Sequence, residues 1–400
     1  MTRRKKTSMS EATIASRAAG SNDLPPVKKT GQKPRAEGKT AGELTPEIKR
    51  KGGSQQVTAR QVAKRAGTSQ SAVSRTFTEG ASVSPTTRRA VIEAAQALGY
   101  RPNLIARSLI TGRSNVIGLV FTHIDNQFYP PLLEELSIRL GQAGYRILLF
   151  VIDMELAPIL EAVLSHRVDA LVMGSATMTS HGAEACRAAG IPVLLLNHRI
   201  DREDISSVTG DNYNGARTIA SFLVAGGHRS FAMIAGLPQA SVSRDRKNGF
   251  TSYLVEHGFG EPRCLSGDYS RGDARDAAYQ LLSAPDRPDA IFCENDDMSL
   301  AVMGVARETF GLEVGKDLSI IGFDDTPIAS WPEYKLTTYS QNYTTMVNKT
   351  VEILMRMLSF HDYQPEHAVI PGHLIVRSSA RLPSMGIVHR DGPQKIWLPS

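Results

Sequence analysis

Most of the chain after residue 114 alternates short apolar runs with amphipathic stretches, which is the pattern of an α/β protein. Four runs before residue 198 predict buried strands, namely NVIGLVFT, RILLFV, DALVMG and PVLLLN. A second series follows after Asp211, with the runs SFAMIAG, DAIFCEN and LSIIGFDD. Alternation of this kind predicts parallel sheets covered by helices on both faces. We therefore expect two similar α/β lobes, with a ligand cleft at the carboxyl ends of their strands.

A different pattern occupies residues 57–78, VTARQVAKRAGTSQSAVSRTFT, and predicts two short helices joined by a tight turn. Thr58 is positioned to cap the first helix, with Gln61 three residues later as its capping-box partner. Gly67 allows the turn, because glycine adopts left-handed backbone angles without a steric penalty. Ser69 can then cap the second helix.

The second helix is predicted to have two chemically distinct faces. Ala72, Val73 and Phe77 form its apolar face. The other face carries side chains suited to base edges and phosphates, namely Gln70, Ser71, Ser74 and Arg75. A third amphipathic helix follows Ser84 and ends at Gly99, so three helices can enclose a small core. This arrangement predicts a helix-turn-helix DNA-binding domain, although two helices around a glycine turn also occur without any DNA role.

Charge is divided unevenly along the chain. The 400 residues include 46 Lys and Arg against 40 Asp and Glu. Residues 1–113 hold 22 of those cations but only 7 of the acids, so the remainder of the chain is net acidic. A cationic front region on an acidic body fits binding to a polyanion such as DNA. Solubility alone could account for a basic tail, but not for basic residues that coincide with the helix-turn-helix segment.

The two ends of the chain lack the patterns of packed elements. Residues 1–56 are rich in Lys, Gly, Pro, Ser and Thr, so we expect a disordered basic extension. This extension is either a DNA-contacting arm or the product of a start codon assigned too early. Its first residues are basic, but no apolar stretch of a secretory signal follows them. Residues 383–400 contain prolines and no heptad pattern, so we expect a C-terminal tail and no oligomerisation helix.

Several other classes of protein are disfavoured. No apolar run is long enough to span a bilayer, and three widely spaced cysteines suggest neither a disulfide framework nor a zinc site. No P-loop, nucleophile elbow or dinucleotide fingerprint occurs. We expect a cytoplasmic, nucleoid-associated protein without cofactor or metal. Two alternatives stay open: a sugar-processing enzyme, which turnover of a bound sugar would reveal, and a sugar-binding module that does not recognise specific duplex DNA.

As a set, these motifs resemble the lactose-repressor (LacI/GalR) family of bacterial transcription regulators. The segment VAKRAGTSQSAVSR matches the family's first two helices, VSPTTRRAVIEAAQALGY its third, and RPNLIARSLITGRSNVIGLV its hinge and the start of its core. The resemblance runs from about residue 57 to about residue 382. It implies an N-terminal all-α helix-turn-helix domain followed by a two-lobed, periplasmic-binding-protein-like core of parallel α/β sheets.

The resemblance also implies domain boundaries. The helix-turn-helix domain would span residues 57–102, a hinge helix and linker 103–113, and the effector-binding and dimerisation core 114–382. Within the core, lobe 1 would comprise about 114–210 and 342–371, and lobe 2 about 211–341 and 372–382.

The implied DNA contacts lie on and around the second helix, which the resemblance places in the major groove. There Gln70, Ser71 and Arg75 would face the bases; Gln can pair with adenine and Arg with guanine. Short hydroxyls near helix starts are suited to phosphate oxygens, with capping as the competing role: Thr58, Ser69, Ser74 and Ser84.

The segment NLIARSL matches the family's hinge helix, which folds on specific DNA and enters the minor groove. Asn103 begins this segment, and Ala106 permits close approach to the groove. Leu109 matches the leucine that family members push between central base pairs, and such wedges kink the duplex. A core leucine of a linker helix is the alternative role for Leu109.

The implied effector site combines polar and aromatic side chains at the ends of strands. The loop 125–129 resembles the family's Asn-Pro-Phe-Phe-like loop, with Gln127 in place of the usual proline, and supplies Phe128 and Tyr129. In the second lobe the matching positions are Arg246, Tyr269, Asn295, Asp324 and Gln341. Structural roles compete at some of them: a turn at Asp324, a helix cap at Asn295 and core packing at Phe128.

The function implied is a sequence-specific DNA-binding transcription regulator, expected to be a repressor, that binds a pseudo-palindromic operator as a homodimer. A small metabolite between the lobes, expected to be a sugar or sugar derivative, would control the affinity for double-stranded DNA. The alternative is a co-repressed or activating regulator that responds to a non-sugar metabolite such as a purine. No membrane partner is expected.

Overall fold

The computed structural model of the chain describes residues 57–398, apart from 79, 102–112, 123, 153–160, 162, 164, 175–183, 187, 361 and 391–393. It divides into two compact units, Met1–Arg101 and Pro102–Ser400. The basic extension 1–56 and the hinge residues Asn103, Ala106 and Leu109 lie outside the described residues.

The first unit contains three helices: α1 (Ala59–Arg65), α2 (Gln70–Thr76) and α3 (Pro85–Leu98). Their predicted caps are confirmed. Thr58 and Gln61 form a capping box on α1, because each side chain bonds to the other's backbone N–H. The Ser69 Oγ accepts from the backbone N–H of Ala72, and Gly67 turns the chain with a φ of +61°.

A small apolar core holds these helices together. It is built from valine and alanine side chains at helical spacing, namely Val62, Ala63, Val73, Val91, Ala94 and Ala95. Phe77 packs on the ring of Tyr100 at 5.9 Å between centroids and is partly buried. The Arg88 guanidinium of α3 donates to the carbonyl of Thr76 at 3.0 Å, which satisfies the carboxyl end of α2. The packing of the three helices therefore fixes the orientation of the outward face of α2.

The second unit consists of two α/β lobes. Lobe 1 has one fully parallel sheet whose strands, in spatial order, are β11 (His367–Ile370), β5 (Ser206–Gly210), β4 (Val193–Leu196), β3 (Ala170–Gly174), β1 (Val116–Thr122) and β2 (Arg146–Ile152). Helices α4 (Tyr129–Gln142) and α9 (Tyr343–Ser359) contribute buried side chains to the same core as these strands. Strand β2 is an edge strand with Leu149 and Val151 exposed, so the prediction that all of RILLFV is buried was wrong.

Lobe 2 has an eight-stranded sheet. Its spatial order is β13 (Ile387–Arg390), β14 (Gln394–Trp397), β12 (His373–Val376), β10 (Thr337–Ser340), β9 (Ser319–Asp324), β8 (Ala290–Cys293), β6 (Phe231–Ala235) and β7 (Arg263–Ser266). Helices α5 (Asn212–Ala225) and α6 (Ser241–Glu256) cover one face, while α7 (Arg271–Ser283) and α8 (Asp296–Glu308) cover the other. A short 3₁₀ helix, Pro327–Ser330, follows β9.

The chain crosses between the lobes three times: between β5 and α5, between β10 and α9, and between β11 and β12. Residues that follow the strands of both sheets therefore meet between the lobes, as the strand-end rule predicts.

The C-terminal segment differs from the expected tail. Ile387–Arg390 and Gln394–Trp397 form β13 and β14, which extend the second sheet because β14 pairs antiparallel with β12 and β13 pairs antiparallel with β14. Trp397 is 5% exposed and packs edge-on against Phe222 with ring centroids 5.6 Å apart. The prolines and the short runs around Met385 concealed this hairpin, because four-residue strands leave almost no periodicity to detect.

Candidate functional site

The outward face of α2 is a continuous polar surface. Gln70, Ser71, Ser74 and Arg75 are all exposed, whereas Ala72 and Val73 are buried. The Oγ atoms of Ser69 and Ser71 lie 2.8 Å apart at the start of the helix. Exposed amide, hydroxyl and guanidinium groups along this face are suited to contact base edges and phosphates.

The hydroxyls near helix starts do act as caps in the structure. Ser69 and Ser84 accept from backbone N–H groups at 3.2 Å, and Thr58 accepts from Gln61. Capping leaves each of these residues exposed, although the Thr58 and Ser84 hydroxyls also donate to Gln61 Oε1 and Thr87 Oγ1, so a phosphate oxygen would have to replace those acceptors. Ser74 is not a cap, and its carbonyl accepts from the Thr78 hydroxyl.

A second concentration of polar groups lies between the lobes of the core. Lobe 1 contributes residues that follow β1 and β4, and lobe 2 contributes residues from α6 and from the ends of β8 and β9. The lining is Thr122, Asn126, Phe128, Tyr129, Asn197, Leu237, Val242, Arg246, Tyr269, Asn295 and Asp324. The cavity volume is about 40 Å³, which is room for about three water molecules. The lobes are therefore closed on each other.

Arg246 is the central cation of this cavity and is 2% exposed. Its Nε donates to Asn212 Oδ1 at 2.8 Å, and one terminal nitrogen donates to the backbone carbonyl of Glu294. The guanidinium carbon lies 3.8 Å from the centre of the Phe323 ring. This stacking holds the planar group in one orientation and is favourable because the ring face is electronegative.

Asp324 faces Arg246, with 3.7 Å between carboxylate oxygen and guanidinium nitrogen. The same oxygen accepts from Gln341 Nε2 at 2.6 Å. Burial raises the pKa of Asp324 to about 7, although Arg246 and Gln341 act in the opposite direction. Its φ of +125° is unusual for a residue with a Cβ. Such strain persists only where surrounding structure enforces it and is common at binding sites.

Tyr269 lies over Glu294 in lobe 2. Its hydroxyl donates to Glu294 Oε2 at 3.2 Å, and the same oxygen accepts from the Gly236 N–H at 2.9 Å. A Cβ at Gly236 would lie 2.1 Å from the tyrosine ring, so only glycine permits this approach. Burial raises the pKa of Glu294 to about 7. Burial, and next the Glu294 charge, raise the pKa of Tyr269 well above its usual value.

Two amides in the lining have one hydrogen-bonding atom without a partner. The Asn295 Oδ1 caps α8 by accepting from the Met298 N–H at 2.9 Å, which leaves its buried Nδ2 unpaired. The buried Oδ1 of Asn197 is likewise unpaired. Unsatisfied buried polar atoms are uncommon in folded proteins, so these two are available to a ligand.

Polar contacts bridge the lobes on both sides of the cavity. The backbone N–H of Gln127 in lobe 1 donates to the carboxylate of Asp297 at 3.3 Å. The backbone N–H of Arg199 donates to Ser241 Oγ at 3.0 Å, and its side chain lies 3.2 Å from both carboxylate oxygens of Asp245. These bonds hold the closed arrangement.

Six of the seven residues predicted from the sequence for the effector site come together in this cavity, namely Phe128, Tyr129, Arg246, Tyr269, Asn295 and Asp324. Gln341 does not line the cavity, because it is buried behind Asp324 and fixes that carboxylate. Among the residues that were missed, Asn197 directly follows the strand run PVLLL. The strand-end rule could have identified it.

Neither a membrane span nor a metal cluster is found in the described part of the chain. There, no helix combines the length and apolar character needed to cross a bilayer. The same residues contain no group of three or more His, Cys, Asp or Glu side chains that could hold a metal ion.

Comparison with known proteins gives matches for both units. The model for bacterial regulatory proteins of the lacI family matches residues 58–103, and a periplasmic binding protein-like domain matches residues 220–380. Catabolite control protein A of Priestia megaterium is 28% identical over 331 residues, covering 81% of this chain and 99% of that protein.

Two solved structures share the architecture. The lac repressor dimer bound to operator and the anti-inducer ONPF has 27% identity and a TM-score of 0.73, covering 81% of this chain and 98% of that one. The complex of the transcriptional regulator CelR with cellobiose has 26% identity and a TM-score of 0.62, covering 81% and 100%. From these matches and the helix-turn-helix and two-lobed units described above, the chain combines a DNA-binding domain of the lacI family with a periplasmic-binding-protein-like core, and its relatives are lacI-family transcription regulators, not enzymes.

Proposed function

We propose that the protein is a repressor that recognises a pseudo-palindromic operator as a homodimer and that a small metabolite in the cleft between its lobes controls its affinity for DNA. The observation that carries this proposal is the pairing of an exposed polar helix face with a separate, closed cleft lined by polar and aromatic groups. The proposed site of action is the cytoplasm.

The exposed face of α2 supports base recognition in the major groove. Gln70 and Arg75 have the side chains that pair bidentately with adenine and guanine, each pair contributing about 1 to 3 kcal/mol of discrimination. Ser71 lies beside Gln70 at the amino-terminal end of the helix, where base edges are reached first. The hydroxyls of Thr58, Ser69, Ser74 and Ser84 would contact phosphates and thereby fix the register of the helix on the duplex.

The hinge contributes to the proposal through the family resemblance alone. Asn103, Ala106 and Leu109 would form part of a helix that enters the minor groove, with Leu109 inserted between base pairs. Two hinges at the centre of a two-fold symmetric dimer would require a symmetric operator, since each half-site is read by one protomer.

The cleft supports a sugar or sugar derivative as the metabolite. A sugar presents paired hydroxyls, which require both donors and acceptors, and a C–H face, which packs on aromatic rings. Asn295 Nδ2 and Asn197 Oδ1 supply an unpaired donor and acceptor, and Phe128 and Tyr129 supply apolar surface. The CelR–cellobiose complex provides a precedent for a sugar in this fold.

Coupling between the two sites would follow from differential affinity. A metabolite can shift the protein between two arrangements only by as much as it binds one of them better. Because the cleft is formed by both lobes, a bound ligand changes the free energy of closure and therefore the placement of lobe 1. In the proposed dimer, the two copies of lobe 1 carry the hinges.

The test is selection of a preferred duplex from random DNA by the full-length chain, followed by titration of sugars and purines against that complex. We expect an inverted-repeat sequence bound as a 2:1 complex and released by a sugar. Release or tightening by a purine would favour the co-repressed or activating alternative. Equal affinity for selected and scrambled duplexes at moderate salt would contradict the proposal as a whole.

A further inference from the structure

The floor of the cleft holds more buried acid than buried base. Glu294 and Asp296 are 0% exposed, and Asp324 is 5% exposed. Arg246 is the only buried lysine or arginine among the described residues, and it lies beside Asp324. The Asp296 oxygens accept from Thr326 and Thr338. Arg246 therefore acts on both Asp324 and Glu294, and Asp296 has hydrogen-bond donors but no cation among the described residues.

Arg246 is poorly placed to attract an anion. Each of its three nitrogens already has a partner within the protein: Asn212, the carbonyl of Glu294 and the carboxylate of Asp324. Its face is covered by Phe323. An incoming phosphate or carboxylate would have to displace Asp324 from the guanidinium, and it would then lie near Asp324 and Glu294, two acids that are partly ionised at neutral pH because burial raises the pKa of each to about 7.

Glu294 is the least satisfied of these acids. One of its oxygens accepts from Gly236 and Tyr269, while the other has no partner of good hydrogen-bond geometry, although the nearby Ser243 side chain and Arg246 both lower the pKa of the carboxyl. A carboxylate oxygen left unpaired in the interior is costly to the fold. The cost is reduced when positive charge or a hydrogen-bond donor approaches, and the tyrosine ring that Glu294 supports lines the cavity.

We propose that the cleft selects its ligand by charge, so that hydroxyl-rich compounds that are neutral or carry an amine are bound and their phosphorylated or carboxylated counterparts are rejected. Glu294 sets this selection from beneath Tyr269, as a positioning residue and a source of negative potential. The inference rests on the proposed function, because it defines the chemical class of the metabolite in that same cleft.

The test measures how tightly the full-length chain binds compounds that share one sugar skeleton but differ in charge. Each of several parent sugars (glucose, galactose, mannose, ribose and cellobiose) is compared with an amino derivative, a uronic or aldonic acid and a phosphate, by calorimetry and by the effect on the operator complex. For the parent that binds, we expect the amine to bind at least as tightly and the acid and phosphate at least tenfold more weakly.

The outcomes separate this inference from the proposed function. An acid or phosphate that binds more tightly than its parent overturns charge selection and leaves metabolite control intact. If no compound of any charge binds or alters the operator complex, metabolite control itself fails and the inference fails with it.

A pair of variants tests the part assigned to Glu294. Glu294→Gln keeps an oxygen for Gly236 and Tyr269 but removes the charge, so the ratio of dissociation constants between phosphate and parent should narrow by about tenfold. Glu308→Gln removes the same charge from an exposed position at the end of α8 and should leave the ratio unchanged. An unchanged ratio in Glu294→Gln would refute the part assigned to Glu294. If either variant folds poorly, the order of affinities for the neutral, amino and acidic compounds, measured on the unaltered chain, still tests charge selection.

Discussion

The buried carboxylate of Glu294 should make the stability of lobe 2 depend on pH in a way that one substitution abolishes. The side chain is fully buried and lacks a partner for one oxygen, so ionisation is unfavourable in the folded state. Glu294→Gln has nearly the same shape and cannot ionise. The pH dependence of the difference in unfolding free energy between the two proteins therefore reports the ionisation of this one carboxyl group.

The magnitude follows from the two pKa values. Burial raises the pKa of Glu294 from 4.5 to about 7, and each pH unit between the folded and unfolded pKa corresponds to about 1.4 kcal/mol. Between these values the folded state binds more protons than the unfolded state, so stability falls as pH rises. The loss begins above about pH 4.5, is complete by about pH 8, and amounts to about 3 kcal/mol. Glu294→Gln should not show this loss of stability.

Urea denaturation at pH 5 and at pH 8 measures this difference. The chain's two tryptophans, Trp331 and Trp397, both lie in lobe 2, so their fluorescence follows the unfolding of the lobe that contains Glu294. The stability of Glu294→Gln relative to the natural chain should increase by about 3 kcal/mol between the two pH values, while that of Glu308→Gln should stay constant. Parallel pH profiles for the natural chain and Glu294→Gln would refute the argument from burial.

Three further predictions concern the other parts of the molecule. Arg75→Ala should weaken binding to the selected duplex by about 1 to 3 kcal/mol and binding to random DNA far less. Arg89→Ala, at an exposed position on α3, is the control and should weaken both equally. Equal losses for Arg75→Ala would exclude base recognition by Arg75. Arg246→Ala should abolish the metabolite response in a gel-shift assay and leave operator binding intact, and a retained response would remove this residue from the effector site. Trp397→Ala should lower the unfolding free energy by about 3 to 5 kcal/mol, because it empties a buried site against Phe222; an unchanged urea midpoint would mean that the C-terminal strands contribute nothing to the core.

The helix-turn-helix unit could be predicted from sequence nearly in full, because its signals are local. A capping hydroxyl, a glycine with positive φ and apolar residues three or four positions apart each act within one turn of helix. Thr58, Ser69 and Ser84 occupy the predicted caps, and Val73 occupies the predicted core. The structure adds the contact from Arg88 to the end of α2, which joins positions 12 residues apart and leaves no local pattern.

The effector cleft was predictable in part, since strand ends can be located along the chain but not the partners that meet there. The family motif indicated Arg246 and Asp324, yet nothing in the sequence shows that Phe323 stacks on the guanidinium or that Gln341 lies behind Asp324. Glu294 was not recognised because a single acid after a strand resembles any turn residue. Its importance depends on burial, which is set by elements distant in the sequence.

The closed cleft also constrains how a ligand can enter and what it must replace. The cavity of about 40 Å³ has room for about three water molecules, so the proposed sugar would require the lobes to move apart. Opening breaks the contacts from Gln127 to Asp297 and from Arg199 to Asp245, and these exposed or singly bonded contacts are individually weak. The affinity of the proposed ligand would therefore be set mainly at Arg246 and Asp324, where its hydroxyls would replace the present hydrogen-bond partners. The direction of the proposed response depends on whether the ligand holds the lobes farther apart or fixes them closed.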